Sequence, residues 1–221
     1  MGIAYNTSIV RSGLVLHLDA ANPKSYPGSG TIWKDLSGRG NNGTLINGVG
    51  YSASNNGSLV FDGVNDYSTV ASSSSMNTMT AVTACMWIKF PSIPITGIPF
   101  NKEGSLRLFV AEVNTTKFTI RLGSSWGSVP TGATSLQANV WYYSCMTFDG
   151  TTVNLYLNNV LDFTGNQPGV FANSNVLHIG AFSSASYFSN SSISSVQLYN
   201  RALSASEINQ NFEALRGRYG I

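Results

Sequence analysis

The chain has 221 residues, 43% hydrophobic and 11% aromatic but only 10% charged, with a formal net charge of +2. Its aromatic content excludes a disordered segment, which keeps few aromatics and a high charge. The length suits one large all-β domain with its own core. The low net charge, without a basic run, excludes the electrostatic footprint of a nucleic-acid binder, and no apolar run approaches the roughly 18 residues of a membrane span.

The first residues, MGIAYNTSIVRSG, contain no apolar h-region, so no signal peptide is expected. Asn6 stands where a myristoylation motif wants Ser or Thr. Sequons at Asn6, Asn42, Asn56, Asn114 and Asn190 follow from Asn/Ser/Thr richness and are not read as glycan sites. Residues 1–12 read as an N-terminal arm, and residues 13–221 as one domain.

A first strand is predicted at Leu14 to Leu18, followed by a long loop from Asn22 to Gly43 with turn signals at Tyr26-Pro27-Gly28, Ser37-Gly38 and Asn42-Gly43. Leu59 to Phe61 and Tyr67 to Ala71 form a short pair of strands around Asp62-Gly63, and Ser72 to Ser75 is a loop. Ala81 to Phe90 alternates as a long strand, with Val82, Ala84, Met86 and Ile88 on one face and Thr83, Cys85, Trp87 and Lys89 on the other. Pro91, Pro94 and Pro99 then bar a central strand.

Leu106 to Val110 and Lys117 to Leu122 read as a hairpin pair. Trp141 to Phe148 and Thr152 to Leu157 form another, turned by Asp149-Gly150 and continued through Asn158-Asn159 into Val160 to Phe163. Leu177 to Ile179 and Ile193 to Tyr199 close the set. Many short strands at such spacing indicate an antiparallel sandwich or jelly roll. Cys85 and Cys145 lie inside strands and read as two buried free thiols, a disulfide requiring that their strands face each other.

One helix is predicted, from Ala205 to about Arg216. Ser204 and Glu207 make a capping box, Leu203 and Ile208 a hydrophobic staple, and Ile208, Phe212 and Leu215 an apolar stripe, with Gly217 at the end. Such a terminal helix is expected to pack on the sandwich edge and cover its exposed ladder groups.

Five segments in order carry a resemblance: WKDLSGRGNNG (Trp33 to Gly43), VFDGVNDY (Val60 to Tyr67), WYYSCMTFDG (Trp141 to Gly150), LYLNN (Leu155 to Asn159) and VQLYNRALS (Val196 to Ser204). With these the chain resembles the laminin-G-like branch of the concanavalin A-like lectin/glucanase superfamily. The ends, LDAANPKSYPGSG and NFEALRGRYGI, look like versions found in structural proteins of tailed phages. The resemblance implies an all-β, two-sheet antiparallel jelly-roll sandwich with one short C-terminal helix. It also implies a virion-surface protein made in the host cytoplasm, binding a glycan or cell-surface polysaccharide and other virion proteins, and assembled as a homo-oligomer.

Catalysis is not expected. Glycoside hydrolysis needs two facing carboxyl groups, and no predicted strand presents the alternating Glu and Asp set of the superfamily's glucanases. His17 and His178 sit singly in apolar strands with no G-x-S-x-G motif, and read as packing or edge residues. Related domains commonly hold calcium, and Asp35 with Asn41 and Asn42, or Asp19 and Asp62, could supply oxygens. Yet Ser194-Ser195 stand where relatives carry Asp-Glu, so Asp35 and Asp62 read as pins of glycine-rich turns and no cofactor is expected. For sugar binding, the candidates are Trp126, Tyr187 and Asn190 in Ser/Gly/Asn-rich loops. Trp126 alternatively caps the sandwich or contacts a neighbouring subunit, while Trp33, Trp87 and Trp141 belong to the core.

Overall fold

A computed structural model describes residues 8–102, 106–109, 116–122, 130–166, 174–184 and 186–221. The strands are β1 (Leu14–Asp19), β2 (Ile32–Trp33), β3 (Gly43–Ile46), β4 (Gly50–Ser52), β5 (Ser58–Asp62), β6 (Tyr67–Val70), β7 (Val82–Lys89), β8 (Phe100–Lys102), β9 (Leu106–Phe109), β10 (Thr119–Leu122), β11 (Trp141–Phe148), β12 (Thr152–Leu157), β13 (Val160–Asn166), β14 (Leu177–Ile179) and β15 (Asn190–Tyr199). The described residues also form a single-turn α-helix, α1 (Ser74–Asn77), and the longer α2 (Ala205–Leu215), besides short 3-10 turns.

The strands form two antiparallel sheets. Sheet A runs β13-β12-β11-β7-β15-β5-β4, with β1 also beside β15, and sheet B runs β10-β9-β8-β14-β6-β3-β2. This is the two-sheet jelly roll with one C-terminal helix that the strand pattern implies. Between the sheets lies the main core, where Val82, Ala84, Met86 and Ile88 of β7 meet Val70, Leu177 and Ile179 of sheet B. Trp33 is fully buried there as expected.

The alternate residues of β7 do not face water. A second cluster covers the outer side of sheet A and joins Cys85, Trp87, Tyr143, Cys145 and Tyr199 to Ile208, Phe212 and Leu215 of α2 and to Tyr219. Phe212 stacks on Trp87 at 5.7 Å between ring centroids, and Tyr219 stacks on it at 4.0 Å. Helix α2 therefore packs on a sheet face, correcting the expectation of an edge cover: its apolar stripe needs an apolar surface, which the aromatic outer residues of β7 and β11 supply. The N-terminal segment joins this layer, because Ile9 and Val10 are buried and Val10 N–H donates to Asn211 Oδ1 at 2.8 Å.

The free-thiol reading is also corrected. Strands β7 and β11 are neighbours with Cys85 opposite Cys145, and the two form a disulfide with their Cα atoms 4.0 Å apart. The long loop expected from Asn22 to Gly43 contains the two-residue strand β2, β3 and β4 follow it, and the Ser72 to Ser75 loop runs into α1.

Candidate functional site

Loop 180–189 is built by close backbone approach. Gly180 has φ of +86°, and a Cβ there would sit 2.5 Å from Phe61 Cδ1; at Gly97, with φ of +84°, a Cβ would run into the Phe188 carbonyl. Backbone hydrogen bonds then anchor the loop to the β8 side of sheet B: Gly180 N–H to the Pro99 carbonyl (2.8 Å), Ile98 N–H to the Tyr187 carbonyl (2.9 Å) and Ser189 N–H to the Gly180 carbonyl (2.8 Å). The Asn101 side-chain amide donates to the Phe182 carbonyl. Asn101 lies opposite His178, which lies opposite Thr69, so the loop spreads over the outer face of sheet B.

On this support the loop displays Tyr187. Its φ is +52°, a region that bulky residues seldom occupy, and the residue is 57% exposed. Its ring and that of Phe182 stand perpendicular in a T-shaped contact at 6.0 Å. A separate chain of ring contacts joins the next residue, Phe188, to Tyr67 and Tyr67 to His178, at 6.1 and 6.0 Å. Tyr187 is thus an exposed aromatic side chain on a loop whose backbone is hydrogen-bonded to Ile98, with Phe182 at its side.

Asn190 follows at the start of β15, opposite Asp62. It is exposed and packs against Gly63, where a Cβ would approach Asn190 Cβ to 2.9 Å. Beside it, Asp62 Oδ1 accepts from Val64 N–H (2.7 Å) and Asn65 N–H (3.3 Å). The Val64 bond leads the interactions that hold the Asp62 carboxyl below the ordinary carboxylate range. Burial, with Asp62 nearby, pushes Asp66 up. Asn47 donates to the Asn65 carbonyl at 2.9 Å, and Val64 is 69% exposed. The structure therefore places Tyr187 in the loop but Asn190 in strand β15, correcting the loop position expected for it: the residue is paired in register with Asp62 and lies beside a polar rim. Trp126 lies outside the described residues.

The other predicted groups have structural partners. Asp35 accepts His17 N–H (2.9 Å) and Ser37 N–H (2.8 Å) on Oδ1, and Asn41 N–H (3.0 Å) and Ser37 O–H (2.7 Å) on Oδ2. Asn41 donates to the Val15 carbonyl, and Asn42 Oδ1 accepts Asp35 N–H. Asp19 is paired with Arg218 at 2.8 Å. A calcium ion would have to displace these donors, with no second carboxylate at Ser194 or Ser195 to offset its dehydration, so these residues do not fit the ion. Among the described residues, no group of three or more His, Cys, Asp or Glu side chains is arranged to hold a metal.

Among the described residues the remaining acids are likewise engaged, Glu103 and Glu112 lying outside them. Asp149 caps its turn, Asp162 holds Thr134, Glu207 pairs with Arg201 and Glu213 with Arg216. Burial pushes the His17 imidazole down to about 4, which leaves it neutral at pH 7, and its ring nitrogens contact no protein acceptor or donor. His178 is half-buried beside Tyr67.

A family model described as the concanavalin A-like lectin/glucanases superfamily, of laminin-G type, matches residues 62–209, more than half of the chain. The chain belongs to this superfamily. Among solved structures, this lectin-like chain is similar to the binding domain of Paraclostridial Mosquitocidal Protein 1, with a TM-score of 0.72, 17% identity, and coverage of 91% of this chain and 52% of that one. It is similar to domain 4 of AbnA, an extracellular arabinanase from Geobacillus stearothermophilus in complex with arabinotriose (TM-score 0.68, 18% identity, 92% and 98% covered). It is also similar to the binding domain of Botulinum Neurotoxin DC in complex with SialylT (TM-score 0.71, 15% identity, 93% and 52% covered). At these identities the likeness is one of fold, and the chain spans about half the length of the toxin binding domains. No curated protein sequence matches it. Among the described residues, no helix is long and apolar enough to cross a membrane.

Proposed function

We propose that this lectin-like domain is a non-enzymatic glycan-binding module on the surface of a phage virion, as a capsid decoration or a tail adhesin. The observation that carries the binding reading is Tyr187, an exposed ring on an anchored loop whose backbone takes φ +52° there, with Asn190 close by in sequence. A sugar offers an apolar face of C–H groups and a rim of hydroxyls. A rigid aromatic supplies contact area at low entropic cost, and an amide supplies both donor and acceptor. The saccharide-bearing complexes of the arabinanase domain and the neurotoxin binding domain support the same reading. The virion context rests on the phage-like ends, and homo-oligomeric assembly with other virion proteins belongs to that context.

The test is a glycan array with the intact protein and the variants Tyr187→Ala, Asn190→Ala and Trp126→Ala. The expected result is a defined glycan class whose affinity falls at least tenfold in Tyr187→Ala, about 1.4 kcal/mol, with the near-UV spectrum unchanged. An unchanged profile in that variant removes Tyr187 from the site. Blank arrays together with a symmetric arrangement on purified particles would favour a purely structural virion component. Release of reducing ends from polysaccharide would overturn the non-enzymatic reading.

A further inference from the structure

A second concavity lies away from the Tyr187 loop, in the segment between β1 and β2. It is a shallow, open hollow of about 370 Å³, lined by residues that include Pro23, Lys24, Ser29, Thr31, Ile32 and Lys34, a size within the roughly 300–1,000 Å³ of small-ligand sites. Its walls are fixed in place. Ser25 O–H donates to the Lys34 carbonyl (2.5 Å), Lys34 N–H to the Ser25 carbonyl (2.8 Å), Asp19 N–H to Ser25 Oγ (3.1 Å) and the Tyr26 hydroxyl to the Gly30 carbonyl (3.1 Å).

The charge of this cleft is one-sided. Lys24 and Lys34 border it, and no acidic residue does. The acids nearest in sequence are turned to other partners: Asp19 is buried against Arg218, and both oxygens of Asp35 hold the turn that follows. Ile32 is 50% exposed and, with Pro23 and Pro27, gives the cleft an apolar wall, while Ser29 and Thr31 contribute hydroxyls. Two unneutralised cations, an apolar wall and hydroxyl groups complement one kind of ligand: a sugar whose ring carries an anionic group.

We infer that the cleft between Lys24 and Lys34 is a second saccharide site, selective for sugars bearing a carboxylate. The saccharide part of this inference rests on the glycan-binding reading, but the residues are separate from Tyr187 and Asn190. The two ammonium groups meet the carboxylate, Ile32 and the prolines meet the C–H face of the ring, and Ser29 and Thr31 meet its hydroxyls.

The test is titration of the whole protein with trigalacturonic acid and with its fully methyl-esterified form, followed by amide NMR and calorimetry. The expected result is binding of the acid with shifts clustered at residues 23–34, at least tenfold weaker binding of the ester, and a further tenfold weakening for the acid in Lys24→Ala/Lys34→Ala. Binding should also weaken as salt rises, since exposed charges are screened. Tyr187→Ala should leave this binding unchanged, which separates its failure from that of the first site. Equal affinity for acid and ester, shifts located elsewhere, no binding, or a double variant that binds as well as the parent overturns the inference. Inorganic phosphate that displaces the acid at equal concentration reduces the cleft to a general anion site and overturns its sugar selectivity.

Discussion

Replacing Phe212 by Ala tests whether α2 is docked on the face of sheet A. Phe212 is 9% exposed, stacks on Trp87 at 5.7 Å with planes 13° apart, and lies 5.9 Å from Tyr143. Truncating a buried phenylalanine costs about 3–5 kcal/mol. This ring lies at the outer margin of its cluster, where α2 itself can shift to fill the gap, so the lower end applies, about 3 kcal/mol. At ~2–4 °C per kcal/mol for a chain of this size, the melting temperature should fall by about 6–12 °C.

Urea unfolding followed by near-UV circular dichroism measures the loss, and an unchanged m-value shows that the same two states are compared. Asn209→Ala, on the exposed side of the same helix, should stay within about 0.5 kcal/mol. A loss below about 1 kcal/mol for Phe212→Ala would mean that the helix contributes little through this face, and the two-layer account of sheet A would be wrong.

Glu207 gives a pH-dependent test. Arg201 grips its carboxylate with bonds of 2.9 and 2.6 Å, and this pairing leads the interactions that hold the group down at about 2. Because the folded value lies below the unfolded one, near 4.3, its contribution is complete above about pH 4.5 and is lost as pH falls toward 2. Glu207→Gln should therefore cost about 1 kcal/mol at pH 7, and the gap to the parent should narrow at pH 3. A gap of equal size at both pH values refutes the assignment. Breaking the Cys85–Cys145 bond, which spans 60 residues, should cost about 4 kcal/mol from loop entropy. The check is unfolding of the Cys85→Ala/Cys145→Ala variant, while two thiols that alkylate in unreduced, denatured protein would refute the bond itself.

Features set by local chemistry were legible in the sequence. Alternation together with Asp149-Gly150 fixes β11 and β12 to the residue, and Ser204 with Glu207 makes the expected capping box. Strand β2 was missed because two residues carry no period. Strand β3 is not anticipated at all, because Gly43 reads as the end of a loop, yet it is a strand glycine pressed so near Ser68 that a Cβ would approach Ser68 Oγ to 2.9 Å. Which strands are neighbours is a tertiary property, so the Cys85–Cys145 bond could not be read from spacing. The docking of α2 did leave a signal, since Cys85, Trp87, Tyr143 and Cys145 are too apolar for a solvated sheet face. At the candidate site, the exposure of Tyr187 could be anticipated from its Ser- and Asn-rich loop. The Ile98 backbone bond that anchors it, and the Asn101 amide that holds the Phe182 carbonyl, come from a distant segment and could not.

The two layers of side chains on sheet A also bear on where a partner can bind. The middle strands β7, β11 and β15 have the inter-sheet core on one side and α2, Tyr219 and the Val10 segment on the other. A ligand could reach them only by displacing stacked aromatics and the Asp19–Arg218 pair, at a cost of several kcal/mol. Sheet B carries no such helix among the described residues. Its outer face holds Thr44, Thr69 and His178 in one cross-strand row, exposed or half-buried, with the Tyr187 loop laid across the next strand. The cleft of Lys24 and Lys34 opens beside β2, at the free edge of the same sheet. The Tyr187 loop and the cleft of Lys24 and Lys34 therefore lie beside sheet B, whereas Asn190, at the start of β15 opposite Asp62 of β5, belongs to sheet A.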